Sequence, residues 1–493
     1  MPEIILHEFI EKIKEKFSSL EKEIMESLDF SAIEMKITKA CNIFIAVFLE
    51  KIFNNLFSDK DFIIKLRGVA GRFALKYKEH RDVMVRLWNG EKIKISVPYF
   101  LRGVSKRKSN KRGPNGRGSY FGLEVLGIIE HCSPNFVSDV VSMAVLCPSF
   151  EVSKVVLSRR GIDIDVKTIR RLSKALGEKG ISYRGNISLT GDEDLKGKTL
   201  VIGIDGGRLR ERVRKTGERK EGQKRDGFST DWKEPKLFTI YLLDEKGKIV
   251  KEFAPLHDAT MENYETMFML LEQYLTALNI EDVEKIVFCG DGSPTIWKDV
   301  EKLLIEMNFQ DKNIFQVLDY THAKQNLRQI INFAPIKQRN NLEIVCKEML
   351  WNGDIDGILN VVNKVIKNKA KRGQAIKKWE NYFKNNEKRM QYTKFRESFV
   401  PCGSGCVESA IRRVINLRLK APGTFWTKEM AECFLFLRSQ LISGRWDIFM
   451  ENIIQLKRKF MLPEYQFGIP VTNKKIGQIF NNYEPNETLT NAA

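Results

Sequence analysis

The sequence lacks the features of several common protein classes. Its eight cysteines form no Cys-x-x-Cys pair, and no histidine follows them at zinc-finger spacing. We therefore interpret them as reduced core thiols of a cytosolic protein, with Cys402 and Cys406 as structural residues around a Gly-Ser-Gly loop. No signal peptide is recognisable, and the most apolar segment near the start, residues 43–49, is too short to span a bilayer.

Acidic residues are also in short supply. The 493 residues include 82 Lys and Arg against 63 Asp and Glu, which leaves a net charge of +19. This balance indicates a polyanionic partner, and a Lys-rich composition without functional meaning is the alternative. The hydrophobic fraction of 43% is enough for large cores, so global disorder is excluded.

Two basic segments favour DNA as that partner. Residues 102–117 carry seven basic and no acidic residues, with Gly and Pro interrupting any helix, which predicts a flexible arm; a plain solvated loop is the alternative. Residues 150–160 and 166–176 predict two helices around Gly161, a spacing typical of helix-turn-helix motifs, although many helical hairpins look alike. The residues that we assign to DNA binding in these segments are Lys106, Arg107, Lys108, Lys111, Arg112, Lys167, Arg170, Arg171 and Lys174.

Residues 199–204 form a short, β-branched apolar run that predicts a buried central strand. Asp205 follows it, ahead of two glycines, and a buried lone carboxylate is costly unless something compensates it. Asp205 either opens a Gly-Gly turn or belongs to a site. Arg208, Arg210 and Arg212 come next, so we expect an anionic ligand near Asp205, and we assign these three arginines to DNA binding.

The surrounding pattern predicts a mixed α/β sheet. The predicted strands are 92–100, 236–243, 248–253, 285–289 and 313–318, with 236–253 as a hairpin. The predicted helical regions are 1–85, 260–278, 296–307 and 323–398, the last as an all-helical insertion.

Two further carboxylates occupy unusual places. Asp291 follows the 285–289 strand, and Glu408 shares a helical face with Ile411 and Ile415, which predicts that Glu408 points inward toward the sheet. Because strand ends meet at one edge of an α/β sheet, we expect Asp205, Asp291 and Glu408 to converge. Clustered carboxylates repel one another, and Mg²⁺ relieves that repulsion while bridging to phosphates.

Simpler explanations exist for each acid alone. Asp205 and Asp291 suit glycine turns, and Glu408 suits a buried ion pair with an arginine. Arg412 and Arg413, close to Glu408 in the sequence, are assigned to DNA binding. Two ions held by the three carboxylates would stabilise the attacking and leaving oxygens of a phosphodiester displacement. The sequence therefore predicts a metal-dependent site on a DNA-binding protein.

Several segments, in order, resemble the DDE transposases of bacterial insertion sequences, the ISKra-type group first and the ISLre-type group second. They are residues 203–210 (GIDGGRLR), 232–237 (WKEPKL), 290–294 (GDGSP), 317–323 (VLDYTHA), 403–408 (GSGCVE), 418–420 (RLK), Trp426 and 443–446 (SGRW). The resemblance covers residues 198–450, whereas the first 190 residues are similar only in layout.

The resemblance implies an RNase H-like catalytic domain of the retroviral integrase superfamily with an all-helical insertion, after an α-helical DNA-binding region. It implies Asp205, Asp291 and Glu408 as catalytic and metal-binding residues for two Mg²⁺ ions, which Mn²⁺ could replace. Asp319 and His322 match an Asp-x-x-His motif and would lie beside the centre, or alternatively cap a strand-to-helix junction.

The expected activity is cleavage at terminal inverted repeats followed by strand transfer into target DNA. The resemblance further implies a homodimer or higher oligomer on DNA, and a location in the bacterial cytoplasm, associated with the nucleoid. An RNase H-like host nuclease or resolvase, and a domesticated DNA-binding protein without catalysis, are the alternatives.

The expected organisation has seven parts. They are a helical region (1–90), a strand and basic arm (91–120), the helix-turn-helix domain (121–190), the first part of the catalytic core (191–322), the helical insertion (323–400), the last part of the core (401–450) and a tail (451–493).

Overall fold

A computed structural model describes residue 18 and residues 29–102, 118–184, 195–215, 227–278, 280–309 and 313–461. The described residues form two compact units. The first contains those up to Leu176 together with those from Met450 to Met461, and the second contains those from Gly177 to Phe449. Within the described ranges, no helix has both the length and the apolar composition that a membrane crossing requires.

The first unit packs helices against a three-stranded antiparallel sheet. Its elements are α1 (Phe30–Ser58), α2 (Lys60–Arg72), β1 (Leu75–Arg86), β2 (Lys92–Arg102), β3 (Gly118–Ser119), α3 (Phe121–Val125), α4 (Pro134–Leu146), α5 (Phe150–Arg159) and the start of α6 (Val166–Ser182). Asp29 begins α1 by accepting hydrogen bonds from the N–H groups of Ser31 and Ala32. Phe57, Leu66 and Ile95 lie in its core.

The prediction of helix throughout residues 1–85 was wrong at its end. Leu75–Arg86 form β1, which pairs with β2 along its length. Its residues before Val83 are exposed or only half-buried. The strand therefore has the apolar alternation that identifies a half-buried strand only in its last few residues.

The helices predicted at 150–160 and 166–176 are present as α5 and α6. Asp165 accepts the Thr168 N–H at 2.8 Å, which caps α6. Lys167, Arg170 and Arg171 are exposed on α6, whereas Lys174 is half-buried. DNA binding by this pair of helices stays a prediction. The predicted arm residues Lys106, Arg107, Lys108, Lys111 and Arg112 lie outside the described residues.

The second unit contains a five-stranded mixed sheet. Its strands are β4 (Thr199–Gly206), β7 (Lys236–Leu243), β8 (Leu256–Thr260), β9 (Lys285–Gly290) and β10 (Asn313–Leu318), in the spatial order β10-β9-β4-β7-β8. β4, β7 and β8 are antiparallel in turn, whereas β9 and β10 are parallel to β4. Residues 199–204 of β4 are all buried, as a central strand requires. The predicted mixed α/β sheet is confirmed.

Helices complete the second unit. They are α7 (Tyr264–Leu278), α8 (Pro294–Glu306), α9 (Tyr320–Ile331), α10 (Ile336–Trp351), α11 (Ile355–Val365), α12 (Lys369–Tyr382), α13 (Tyr392–Glu397), α14 (Gly405–Ile411), a π-helical turn (Arg412–Asn416), α15 (Lys428–Ile442) and α16, which begins at Trp446 (Trp446–Arg458). Residues 320–397 contain helices and no strand, as the sequence predicted.

The third strand of this sheet along the chain is not the predicted segment 248–253. A turn does follow β7, and Asp244 accepts the N–H groups of Lys246 and Lys248 there. Residues 248–253, however, add only one bridge, between Leu243 and Ile249. The strand is β8, which is entirely buried although it contains His257 and Asp258, and these polar residues conceal it from a search for apolar runs.

A buried network of charged side chains compensates the burial of Asp258 in β8. Arg184 Nε donates to Asp258 Oδ2 at 2.8 Å, and Arg184 Nη1 donates to Glu432 Oε1 on α15 at 2.7 Å. Tyr274 also donates to Asp258 Oδ2, at 3.2 Å. Buried charged groups are found in proteins when they are paired in this way. Arg184 therefore links β8 to α15 through its contacts with Asp258 and Glu432.

A two-stranded hairpin that the sequence pattern does not predict lies between β4 and β7 in the chain. It consists of β5 (Leu209–Arg214) and β6 (Phe228–Lys233). All six residues of β6 are exposed. A strand without a buried face shows no alternation of apolar residues, so periodicity could not reveal it.

Candidate metal centre

Asp205 and Asp291 lie at the same edge of the sheet. β4 and β9 are parallel neighbours paired from Thr199 with Lys285 to Gly203 with Cys289, an offset of 86 residues. The same offset relates Asp205 to Asp291, two positions beyond the last pair. The β4 strand thus places Asp205, and the end of β9 places Asp291, at matching heights.

Asp205 is partly buried and electrostatically linked to the other acids. Burial raises its pKa to about 6, and the charges of Asp291 and Glu408 also raise it, against the Gly206 N–H and His322, which lower it. The Gly206 N–H donates to Asp205 Oδ1 at 2.7 Å. Both predicted partners therefore act on Asp205 through space.

Asp291 is held by the start of α8. Its Oδ1 accepts the Ser293 N–H at 2.8 Å, and its carbonyl oxygen accepts the Trp297 indole N–H at 2.9 Å. Gly292 beside it faces Tyr382, and a Cβ at Gly292 would lie 2.3 Å from that ring. Asp291 thus lies in the predicted turn, and this turn packs closely against Tyr382 at the end of α12.

Glu408 differs from its predicted orientation. Val407, Ala410 and Ile411 are the buried residues of α14, whereas Glu408 is exposed. Val407 packs on the central strand, so closely that a Cβ at Gly203 would lie 2.9 Å from the Val407 Cβ. The expectation that Glu408 points inward with Ile411 was wrong, because the neighbouring Val407 takes that position.

Asp319, His322 and Glu408 form a group of possible metal ligands. One ligand atom from each lies within 4.8 Å of the others, and this is the one such group in the described part of the chain. Asp205 and Asp291 are outside it, so the structure does not bring the ligand atoms of Asp205, Asp291 and Glu408 within this distance of one another, as the predicted triad requires. These three side chains could hold a metal ion, and Glu408 also acts on Asp205, so the group adjoins the predicted triad.

Asp319 also caps a helix, as the alternative interpretation proposed. It is 1% exposed, and its Oδ1 accepts the His322 N–H at 2.7 Å at the start of α9. Its Oδ2 accepts the Ser404 N–H at 2.5 Å, just before α14. Asp319 therefore joins the two helices that carry His322 and Glu408.

Glu234, Lys236 and Tyr264 lie near Asp205, and none of them is among the predicted site residues. A Cβ at Gly206 would lie 2.2 Å from Glu234 Oε1. Lys236 Nζ lies 2.7 Å from the same oxygen, and the Tyr264 hydroxyl donates to it at 3.4 Å. Burial, followed by the charges of Glu234, Asp291 and Asp205, raises the pKa of Tyr264. Glu234 and Lys236 belong to the WKEPKL segment, residues 232–237, and that segment was the one feature of the sequence that could have indicated them.

The arginines assigned to DNA in this unit differ in exposure. Arg208, Arg212 and Arg412 are exposed, whereas Arg210 and Arg413 are half-buried. Arg413 Nη2 lies 3.3 Å from His257 Nε2. Their contact with DNA stays a prediction.

No protein-family model, curated protein or solved structure matches the chain.

Proposed function

We propose that the chain is a DDE transposase whose second unit is an RNase H-like catalytic domain. The sheet supports this fold. Numbered along the chain, its strands have the spatial order 3-2-1-4-5, with strands 1 to 3 antiparallel and strands 4 and 5 parallel to strand 1. This mixed α/β sheet is compatible with the fold that the resemblance implies, and the helices that follow strand 5 stand where the resemblance expects an insertion.

The placement of three acids carries the functional proposal. Asp205 near the end of β4 and Asp291 directly after β9 lie at matching register on neighbouring parallel strands, and the charge of Glu408 helps to raise the pKa of Asp205. A carboxylate with a raised pKa, close to two others, is typical of a site that holds a cation or transfers protons. A plain turn at Asp205 would not bring the other two acids near.

The ligand chemistry of the three acids suits Mg²⁺, and a movement of Glu408 would be needed to bring all three to one ion. Asp205, Asp291 and Glu408 offer oxygen atoms, which are the ligands that Mg²⁺ prefers, and a cation would offset the burial and repulsion that raise the pKa of Asp205. Bound there, Mg²⁺ supplies activation of the attacking oxygen and stabilises charge on the phosphate. We assign the all-oxygen set to Mg²⁺, because the set with His322 better suits softer metals.

The chain's own residues would then position DNA around this edge. The exposed Arg208 and Arg212 follow Asp205 closely, and exposed arginines attract the phosphate backbone. In the proposed reaction, water attacks the phosphorus at each element end and a 3′-hydroxyl leaves. That hydroxyl then attacks target DNA in a second in-line displacement. The partners would be the terminal inverted repeats, target DNA and further copies of this chain.

A cleavage assay tests the proposal. The substrate is a labelled duplex containing the sequence that flanks the coding region, with Mg²⁺ or EDTA. We expect Asp205→Asn, Asp291→Asn and Glu408→Gln each to abolish cleavage while binding of the duplex persists. Wild-type cleavage by Glu408→Gln would remove that residue from the site.

A joining assay separates a transposase from a nuclease of the same fold. Pre-cut element ends are incubated with a supercoiled target plasmid and Mg²⁺. A transposase joins the 3′ ends to the plasmid, whereas a nuclease or resolvase leaves them unjoined. A catalytically inactive DNA-binding protein would produce neither cut nor joined DNA.

A further inference from the structure

The β5–β6 hairpin separates its side chains into two different faces. Directly paired residues of an antiparallel ladder lie on the same face, and successive residues alternate. Arg210 pairs with Trp232, Arg212 with Thr230, and Arg214 with Phe228. One face therefore carries three arginines and two aromatic rings without a carboxylate from either strand.

The opposite face has different chemistry. It carries the pairs Leu209 with Lys233, Glu211 with Asp231, and Val213 with Ser229. Both acids of the hairpin strands are on this side, and Lys233 Nζ lies 2.7 Å from Asp231 Oδ2. The cations of the first face, which we call the arginine face, are thus segregated from the acids of the strands.

Arginines and rings alternate closely on the arginine face. The Arg210 guanidinium lies 5.6 Å from the Trp232 ring centroid, and that of Arg212 lies 5.3 Å from the Phe228 centroid. Phe425 extends the face, since its ring lies 4.7 Å from the Arg210 guanidinium and 5.5 Å from the Phe228 ring. These distances are within the range of cation–π attraction, which pre-orients the arginines.

Backbone hydrogen bonds fix Phe425 beside the hairpin. The Trp426 N–H donates to the Arg210 carbonyl at 3.0 Å, and the Arg212 N–H donates to the Trp426 carbonyl at 2.7 Å. Nevertheless, Trp232, Phe228 and Phe425 are 55%, 41% and 38% exposed. Three rings are held in place on a cationic surface without being used as core.

We propose that the arginine face is a stacking platform for unpaired bases of single-stranded DNA next to the cleaved element end. This inference rests on the proposed function. Exposed rings between cations are the arrangement by which proteins bind single strands, because every base has a flat face and every nucleotide a phosphate. The three arginines disfavour an apolar protein surface as the partner of these rings, whereas the phosphates of DNA complement their charge.

The position of the hairpin fits a role beside the acids. Arg210 is five residues after Asp205, which limits their separation to about 18 Å along an extended chain. A strand of DNA stacked on Trp232 would therefore lie near the scissile phosphate. Holding it there would keep the separated end from pairing again.

Photo-crosslinking of the full-length chain tests the platform. A 12-nucleotide single strand with 5-iododeoxyuridine is irradiated with the protein in EDTA, and crosslinked peptides are identified by mass spectrometry. We expect crosslinks at Trp232, Phe228 or Phe425. Crosslinks confined to other parts of the chain would overturn the proposal.

Variants at one position separate stacking from general apolar contact. We expect Trp232→Phe to retain single-strand affinity within about twofold, and Trp232→Leu to lose at least about fivefold, the lower end of the effect of losing one stacked base. Val213→Ala, on the opposite face, is the matched control and should bind as the wild type does. Equal affinity of Trp232→Leu and wild type, with both folded by circular dichroism, would contradict the platform.

The outcomes distinguish this proposal from the function on which it rests. The binding assays contain no metal and do not depend on cleavage. If Trp232→Leu binds normally while Asp291→Asn abolishes cleavage, the platform fails and the transposase proposal stands. If Trp232→Leu loses binding while Asp291→Asn cleaves normally, the platform is a nucleic-acid site and the assigned catalytic role fails.

Discussion

Asp319 Oδ2 accepts a hydrogen bond from the backbone N–H of Ser404 at 2.5 Å, although 85 residues separate them in the chain. Asp319 directly follows β10, the last strand of the sheet, and Ser404 directly precedes the helix that carries Glu408. Glu408 is exposed and has little packing of its own to orient it. The position of its carboxylate therefore depends on the buried Asp319.

Asp319→Ala should impair both folding and cleavage. It leaves the N–H groups of His322 and Ser404 without their acceptor, at a cost of about 1–3 kcal/mol each if water does not replace it. We expect a lower urea midpoint and loss of most cleavage, because α14 is no longer held at its start. Asp354→Ala is the control, since Asp354 caps α11 by accepting the Gly357 N–H. Equal cleavage by the two variants would contradict the positioning role.

The parts of the fold that the sequence predicted are those with simple periodicity. β4, β7, β9 and β10 are apolar strands, and each was predicted at nearly its observed position. β8 was missed because Asp258 is buried against Arg184, which lies far away in the chain. The hairpin was missed because β6 has no buried face. The local pattern of apolar residues reveals neither ion pairs between distant residues nor strands without a buried face.

The candidate site was predictable in a similar way. Strand ends indicated where Asp205 and Asp291 lie, because parallel strands share an edge. The orientation of Glu408 was not predictable from helical spacing, since packing of Val407 on Gly203 decides which residue faces the sheet. Glu234 lies between β6 and β7, and only the fold brings its carboxylate beside Gly206 of β4.

Metal-free stability should depend on the ionisation of Asp205. Its pKa is raised from 3.8 to about 6, so between these values the folded chain binds more protons than the unfolded chain. The free energy of unfolding therefore falls as pH rises through this window, by at most about 3 kcal/mol for a shift of about two units. The penalty is fully present above about pH 6 and absent below about pH 4.

Asp205→Asn tests this ionisation directly. In EDTA at pH 7.5 we expect the variant to be more stable than the wild type, with the difference shrinking toward pH 4, as measured by urea unfolding. Mg²⁺ should stabilise the wild type and not the variant. Asp282→Asn, at an exposed aspartate, is the control and should leave the urea midpoint at pH 7.5 unchanged. Lower stability of Asp205→Asn at pH 7.5 would be the opposite result.

The two possible ligand sets give different metal responses to His322→Ala. If Asp205, Asp291 and Glu408 hold Mg²⁺, loss of the imidazole should change the Mg²⁺ concentration for half-maximal cleavage by no more than about threefold, since Mg²⁺ seldom takes nitrogen ligands. Binding of Zn²⁺, measured by calorimetry, should weaken at least tenfold if it uses the Asp319, His322 and Glu408 group. A tenfold increase in the Mg²⁺ requirement would place His322 in the Mg²⁺ set instead.

Arg184→Met should strongly destabilise the second unit. The substitution keeps apolar volume but leaves Asp258 and Glu432 buried without their cation, which typically costs about 3–5 kcal/mol. We expect a large fall in the urea midpoint. Lys233→Met breaks the exposed contact with Asp231 and should leave the midpoint unchanged. Similar midpoints for the two variants would show that the buried network does not hold β8.

Gly203→Ala should disturb Glu408 from the opposite side of α14. A Cβ at Gly203 would lie 2.9 Å from the Val407 Cβ and 3.1 Å from Thr239 Cγ2, and all of these groups are buried in the centre of the sheet. Accommodation requires α14 to move outward, which should cost about 1–3 kcal/mol and take Glu408 away from Asp205. Gly405→Ala, at the start of the same helix, meets no atom within 4 Å and is the matched control. We expect cleavage to fall in Gly203→Ala and to persist in Gly405→Ala. Full cleavage by a destabilised Gly203→Ala would mean that Glu408 acts without a fixed α14.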